Sequence, residues 1–186
     1  MKTTKKTKSA LQEWLEAIVG SIVLTAFIII FIAQSFSVQG LSMMPTLQNN
    51  QRLLVDKISY RFTEPRKGDI IVFKYPQNPK EEFIKRIIGV PGDSVAIIDG
   101  KLFINGQLIE EDYILEPTIR GFLPQVVPEG HYFVLGDNRN NSLDSRDFRV
   151  GFVPKDLIIG RAIWSYWPLN KIEIVRRPQV LAELDE

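Results

Sequence analysis

An uncharged apolar run at residues 17–33 limits how this chain can fold. The run is rich in Ile, Val, Phe and Leu, and as a helix it would extend about 25 Å at ~1.5 Å per residue. Trp14 and Phe36 lengthen it to roughly the thickness of a bilayer core. A helix that is apolar on every side has no face for water. We therefore predict a transmembrane helix at residues 14–36, with a cleavable signal peptide as the alternative interpretation.

The charges on either side of this run predict its orientation. Lysines are frequent before it, at Lys2, Lys5, Lys6 and Lys8, whereas no charged residue lies between Gln34 and Gln51. Positive charge collects on the cytoplasmic side of a membrane helix. We predict a single-pass protein of the cell membrane, with a cytoplasmic basic tail at residues 1–13 and an extracytoplasmic domain at residues 37–186.

Composition excludes several kinds of chemistry. The chain has no cysteine and a single histidine, His131, so a thiolate nucleophile, a cysteine-based metal site and a histidine cluster are all excluded. Its 23 basic and 22 acidic side chains give no support for nucleic-acid binding. We predict no metal, no cofactor and no nucleic-acid partner.

Beyond the apolar run the sequence breaks into short apolar or alternating segments, which are typical of strands. These segments are 52–58, 69–74, 82–90, 94–98, 101–104, 107–109, 131–135, 157–164 and 171–175. Asp99-Gly100 and Asn105-Gly106 separate consecutive segments and favour tight hairpin turns with positive φ. The pattern predicts a mainly β protein, whose extracytoplasmic domain is an antiparallel barrel or sandwich with a small inserted hairpin region at residues 94–130.

Common hydrolase signatures are absent. The sequence has no Gly-x-Ser-x-Gly, no Ser-x-x-Lys and no His-Glu-x-x-His. A serine in a Pro-containing loop, Ser42, remains as a candidate nucleophile, although such a serine often serves only as a turn residue.

Alternation in the segment 83–90 places one basic residue, Lys85, on a face with Phe83 and Ile87. A snorkelling lysine would carry its amine to water. A desolvated lysine would instead have a lowered pKa and would act as a general base toward a serine hydroxyl.

The segment 136–146 is polar although it follows an apolar strand. It is either a solvated loop or a buried network in which Asp144 pairs with Arg146 and Ser142 offers a hydroxyl to a neighbouring amine.

Four blocks in this order carry a resemblance to a known family. They are Ser42-Met43-Met44-Pro45-Thr46-Leu47, residues 67–73 (KGDIIVF), residues 85–93 (KRIIGVPGD) and Gly136-Asp137-Asn138-Arg139 continuing through Ser142, Asp144, Ser145 and Arg146. The sequence resembles bacterial type I (leader) signal peptidases of the single-span form, which are Ser-Lys dyad enzymes, from the predicted anchor to about Trp167.

The resemblance implies a membrane-bound serine endopeptidase that removes signal peptides from exported precursors through an acyl-enzyme. Ser42 would be the nucleophile, Lys85 the general base, and Ser142 the residue that orients the lysine amine. The residues that would hold this geometry are Asp144, Ser145 and Arg146. The Ser42 backbone N–H would bind the oxyanion, because Gly40 replaces the serine that assists in two-span members.

The resemblance also implies partners. The substrate would be an extended precursor segment with small residues at −1 and −3, and the lipid bilayer would lie nearby. The residues expected to bind this segment are Val38, Gln39, Met43, Phe83 and Ile84. Two alternatives stay open: a self-cleaving Ser-Lys regulator of the SOS-repressor type, and a non-catalytic β domain that binds a ligand while tethered to a membrane.

Overall fold

A computed structural model describes residues 9–27 and 33–185 of the chain. Helix α1 begins at Ala10 and ends at Phe27. Ser9 Oγ accepts a 3.3 Å hydrogen bond from the Gln12 N–H, and Gln12 Oε1 accepts a 3.1 Å bond from the Ser9 N–H. This reciprocal pair is a capping box and fixes the start of the helix. Neither described range contains a helix long and apolar enough to cross a membrane.

The predicted transmembrane helix at residues 14–36 is wrong at its C-terminal end. Residues 28–32 of that span lie outside the described ranges, as do residues 1–8 of the predicted cytoplasmic tail. Ala33–Ser37 form strand β1, which pairs along its whole length with β2, Arg52–Asp56. The helix does not continue here because a strand partner is available and Phe36 packs into a core beneath the sheet.

The prediction of a mainly β, antiparallel domain is confirmed. The other strands are β3 Ile70–Tyr75, β4 Asn78–Gly89, β5 Ser94–Ile98, β6 Lys101–Ile104, β7 Gln107–Ile109, β8 Phe122–Val126, β9 His131–Leu135, β10 Val153–Pro154, β11 Ile158–Trp167 and β12 Glu173–Ile174, and a short helix α2 spans Gln179–Ala182. Sequence reasoning missed β1, β8 and β10. The proline in each of β8 and β10 suggested a turn, and β1 continues an apolar run.

The strands form two antiparallel sheets. The larger has the order β1-β2-β11-β3-β4-β9-β10, with β12 added beside β11, and the smaller has the order β7-β6-β5-β8. Asp99-Gly100 and Asn105-Gly106 connect the hairpins of the smaller sheet with positive φ at all four residues, as predicted.

Strand β4 has a central place in the larger sheet. Its second half pairs with β3 on one side and β9 on the other, whereas residues 78–84 pair with β3 alone within the described ranges. Ile87 packs with β3 and β9, and Ile88 packs in a separate core shared with the smaller sheet. The second half of β4 is therefore covered on both faces.

Candidate active site

Ser42 lies in a turn at residues 40–47, within the segment 38–51 that connects β1 to β2. Its neighbour Met43, together with Val38 and Leu47, is buried in the core beneath β2. Within the turn, the Met44 N–H donates to the Leu41 carbonyl (3.2 Å) and the Leu47 N–H donates to the Met43 carbonyl (2.8 Å). The buried side chains anchor the turn, and the half-buried Ser42 hydroxyl remains within reach of a ligand.

Lys85 lies in β4 with only 5% of its surface exposed. Its Nζ donates hydrogen bonds to Ser42 Oγ (2.9 Å) and to the Ile84 carbonyl (2.8 Å). Burial lowers the pKa of Lys85 to about 8, against the charges of Asp144 and Asp137, which act to raise it. The amine does not snorkel to water, and its neutral form is accessible close to neutral pH.

The loop at residues 136–146 is a buried network rather than a solvated loop. Arg146 donates two 2.8 Å hydrogen bonds to the Asp144 carboxylate, which also accepts the Gly136 N–H at 3.1 Å. Ser145 Oγ accepts the Val134 N–H of β9 at 2.9 Å. These bonds fold the loop back onto β9, so Asp144, Ser145 and Arg146 lie inside the protein. Of the three, Asp144 acts on Lys85 through its charge.

Ser142 does not make the contact that was predicted for it. Its Oγ is buried and has no hydrogen-bond partner among the residues that the structure describes. The Lys85 amine is turned toward the Ile84 carbonyl and Ser42 instead. A Cβ added to Gly136 would lie 2.3 Å from Ser142 Oγ and 2.5 Å from the Ser42 carbonyl oxygen. Glycine is therefore required where these segments meet.

Sequence reasoning missed the buried pair of Arg86 and Asp137. Arg86 donates to the two Asp137 carboxylate oxygens at 2.9 and 2.6 Å, and both side chains are almost fully buried. The pair ties β4 to the start of the 136–146 loop, because Asp137 lies one residue beyond Gly136. An aspartate placed directly after an apolar strand was the available signal.

A groove of about 770 Å³ opens beside Ser42 and Lys85. The predicted substrate-binding residues Val38, Gln39, Phe83 and Ile84 line it, whereas Met43 does not, because it is buried in the core. The lining that was not predicted comprises Gln34–Ser37, Gly40, Leu41, Leu53, Val72, Lys80–Glu82, Asn141 and Leu143. The described part of the chain contains no cluster of three His, Asp or Glu residues able to hold a metal ion.

Comparison with known proteins identifies the family of this chain. Residues 11–167 match the family model for signal peptidase, peptidase S26. The chain is 47% identical over 175 residues to signal peptidase I of Leptolyngbya laminosa, an alignment covering 90% of this chain and 85% of that protein. It is 42% identical over 151 residues to the chloroplastic thylakoidal processing peptidase 1 of Arabidopsis thaliana, covering 76% of this chain and 44% of that one. A crystal structure of a signal peptidase I from Enterococcus faecalis is 39% identical, covers 53% of this chain and 97% of that chain, and has a TM-score of 0.48.

Proposed function

Because this chain belongs to the signal peptidase family (peptidase S26), it is a serine endopeptidase that removes signal peptides, and we propose that a Ser42–Lys85 dyad performs the cleavage. The observation that carries this proposal is the 2.9 Å hydrogen bond between Lys85 Nζ and Ser42 Oγ. A nucleophile and a base within hydrogen-bond reach are what covalent catalysis requires. The lowered pKa of Lys85 supports the same assignment.

In the proposed reaction the neutral Lys85 amine takes the proton of the Ser42 hydroxyl while the oxygen attacks the scissile carbonyl. The resulting Lys85 ammonium then gives the proton to the leaving amine of the mature protein, and an acyl-enzyme remains on Ser42. Lys85 next takes a proton from a water molecule, which attacks the ester, and returns this proton to Ser42 Oγ as the signal peptide leaves.

The developing oxyanion needs a hydrogen-bond donor, and we assign the Ser42 backbone N–H to this role. Position 40 is glycine and brings no side-chain hydroxyl. The Gly40 N–H donates to Asn49 Oδ1 at 2.9 Å and is thereby engaged within the turn. The Ser42 N–H is therefore the donor on which the site chiefly depends.

The groove is suited to an extended peptide because strand edges form its walls. Among the residues that the structure describes, β1 is the last strand of its sheet and pairs with β2 alone, and residues 80–84 of β4 pair with β3 on one side only. Each wall thus offers backbone groups for β-strand addition. Val38, Gln39, Phe83 and Ile84 would contact the segment before the scissile bond, with small residues such as Ala at −1 and −3.

We further place the chain in a membrane as a single-pass protein with its N-terminus in the cytoplasm. The lysine-rich tail followed by the apolar run supports this orientation. Apolar side chains of α1, including Leu11, Trp14 and Ile22, are exposed and available to lipid. The substrate in this arrangement is an exported precursor, and the bilayer is the second partner.

The test of the dyad is cleavage of a synthetic precursor, with Ala at −1 and −3, by full-length protein in lipid vesicles. We expect Ser42→Ala and Lys85→Met each to lower kcat by at least about 10³-fold, because each removes a member of a unit that acts together. Ser94→Ala and Lys101→Met are the matched controls. They make the same two changes in the smaller sheet, away from the groove, and should retain normal activity.

The outcome that would overturn the dyad is unchanged processing by folded Ser42→Ala and Lys85→Met proteins. Supplying the precursor in trans also separates peptidase activity from self-cleavage. A protein that cuts only itself would support the self-cleaving regulator, and one that binds the peptide without cutting it would support the binding domain.

A further inference from the structure

Asn138 contacts the nucleophile turn although it lies in the 136–146 loop. It is only 6% exposed. Its side-chain Nδ2 donates a 3.1 Å hydrogen bond to the Leu41 carbonyl, and its backbone N–H donates a 3.0 Å bond to the Ser42 carbonyl. A carbonyl oxygen can only accept, so the amide nitrogen is the atom of Asn138 that faces Leu41. One residue thus holds two successive carbonyls on either side of the Ser42 Cα.

The Leu41 carbonyl and the Ser42 N–H belong to the same peptide unit. This unit is planar and trans, so its carbonyl and its N–H point in opposite directions. A donor that fixes the carbonyl therefore fixes the direction of the N–H as well. Hydrogen bonding at the carbonyl also polarises the unit and strengthens its N–H as a donor. This N–H is the group to which we assign oxyanion binding.

From these contacts we propose that Asn138 is a positioning residue for the oxyanion donor, acting through the Leu41–Ser42 peptide unit. The proposal rests on the proposed function, because it requires Ser42 to be the nucleophile. The Met44 N–H also donates to the Leu41 carbonyl, at 3.2 Å, but it belongs to the same turn and moves with it. Asn138 instead ties the turn to the loop that contains Asp137 and Asp144.

The substitution Asn138→Ala removes the side-chain bond and keeps the backbone one. We expect kcat to fall about 10- to 100-fold, because the oxyanion donor is less well aligned in the transition state. KM should stay within about threefold of its normal value, since ground-state binding in the groove does not depend on this bond. The pH at half-maximal activity should not move, because the Lys85 amine bonds to Ser42 and Ile84 rather than to Asn138.

Asn140→Ala is the matched control. Asn140 lies in the same loop and also donates from Nδ2 to a backbone carbonyl, that of Pro117 at 3.0 Å, but it is exposed and does not contact the nucleophile turn. It should retain normal kcat. Asn138→Asp fills the same space but presents acceptors to the Leu41 carbonyl, so it should lose at least as much activity as Asn138→Ala.

A pair of inhibitors separates this role from a structural one. A peptide aldehyde with Ala at its −1 and −3 positions is attacked by Ser42 Oγ, whose proton passes to Lys85, and the aldehyde oxygen becomes the oxyanion of a hemiacetal. The corresponding peptide alcohol binds the groove without this step. We expect Asn138→Ala to weaken the aldehyde about as much as it lowers kcat/KM and to leave binding of the alcohol unchanged.

The inference fails if folded Asn138→Ala has normal kcat, or if the aldehyde and the alcohol are weakened equally. If Asn138→Ala lowers the melting temperature markedly, the isosteric Asn138→Asp provides the comparison under the same two criteria. Parallel assays of Ser42→Ala keep the two proposals apart. Activity in Ser42→Ala overturns the proposed function itself, whereas an inactive Ser42→Ala beside a fully active Asn138→Ala overturns only the role of Asn138.

Discussion

Lys85 can act as a base only while its amine is neutral, and two opposed effects set the pH at which this occurs. Burial lowers the pKa, and the charges of Asp144 and Asp137 raise it. Each carboxylate is bonded to an arginine, Asp144 to Arg146 and Asp137 to Arg86. The arginine charges act against the carboxylate field at the lysine. The two salt bridges therefore favour the neutral Lys85 amine, in the same direction as burial.

The activity of the enzyme should therefore rise with pH through the pKa of Lys85, which is about 8. Below this pH the amine is protonated and cannot accept the Ser42 proton. We expect kcat/KM to reach half of its maximum near pH 8, measured with a precursor peptide that has no titratable group near the cleavage site. A midpoint near the ordinary lysine value, with the protein folded throughout, would contradict the role of a desolvated base.

Stability should depend on pH through the same residue. Between the folded pKa of about 8 and the ordinary value of 10.5, the unfolded state binds the additional proton, so the free energy of unfolding rises with pH in this window. Below pH 8 the full penalty of about 3 kcal/mol applies. Lys85→Met removes this penalty and should raise the free energy of unfolding at pH 7. The gain is reduced by the loss of the two Lys85 hydrogen bonds. Denaturant unfolding at pH 7 and pH 10.5 should show this gain shrinking, and a gain independent of pH would exclude the explanation.

The sequence predicts the contacts of some site residues and not those of others. Ser42 and Lys85 stand in recognisable blocks, and their approach to 2.9 Å agrees with the dyad inferred from those blocks. Asn138 stands in a block too, but its partner lies 97 residues away, and no periodicity relates a loop side chain to a distant carbonyl. For Ser142 the family pattern predicts a hydrogen bond to the Lys85 amine, but the buried hydroxyl makes no hydrogen bond to any described residue.

Among the elements, β1 joins stability to substrate binding. It is an edge strand, Gln34–Ser37 line the groove, and Phe36 packs against the core beneath β2. We expect Phe36→Ala to cost about 2 kcal/mol, since the ring is only partly buried. KM should also rise as the strand loosens. Phe62→Ala is the control: Phe62 is 82% exposed, so the same change should leave both the melting temperature and KM unaltered. Equal effects of the two substitutions would argue against this role of β1.

Strand β4 shows what an alternating pattern can and cannot predict. Period two placed Lys85 on a face with Phe83 and Ile87. The next residue, Arg86, points to the opposite face, yet the structure buries both basic residues. The second face is covered because the smaller sheet packs on it through Ile88 and the 136–146 loop meets Arg86. Such packing between distant segments cannot be read from a local period.

At the scale of the whole molecule, the site is assembled from three distant segments: the turn at 40–47, β4 near residue 85 and the loop at 136–146. The smaller sheet shares a core with β4 and β9, which hold two of these segments. The distances between Ser42, Lys85 and Asn138 therefore depend on the complete fold.

The near-balanced charge total of the chain combines a basic tail, a neutral run and a domain of mixed charge. This uneven distribution of charge predicts that the lysine tail and the β domain lie on opposite sides of the membrane. The chain has no cysteine, so a single introduced thiol reports one position without background. We expect Lys101→Cys, on the smaller sheet, to react with a membrane-impermeant maleimide in intact expressing cells. Thr3→Cys, in the lysine tail, should react only after the cells are permeabilised. The cysteine-free parent controls for adventitious labelling. Labelling of Thr3→Cys in intact cells would reverse the orientation, and loss of the tail from the mature protein would instead show that the apolar run is a cleaved signal peptide.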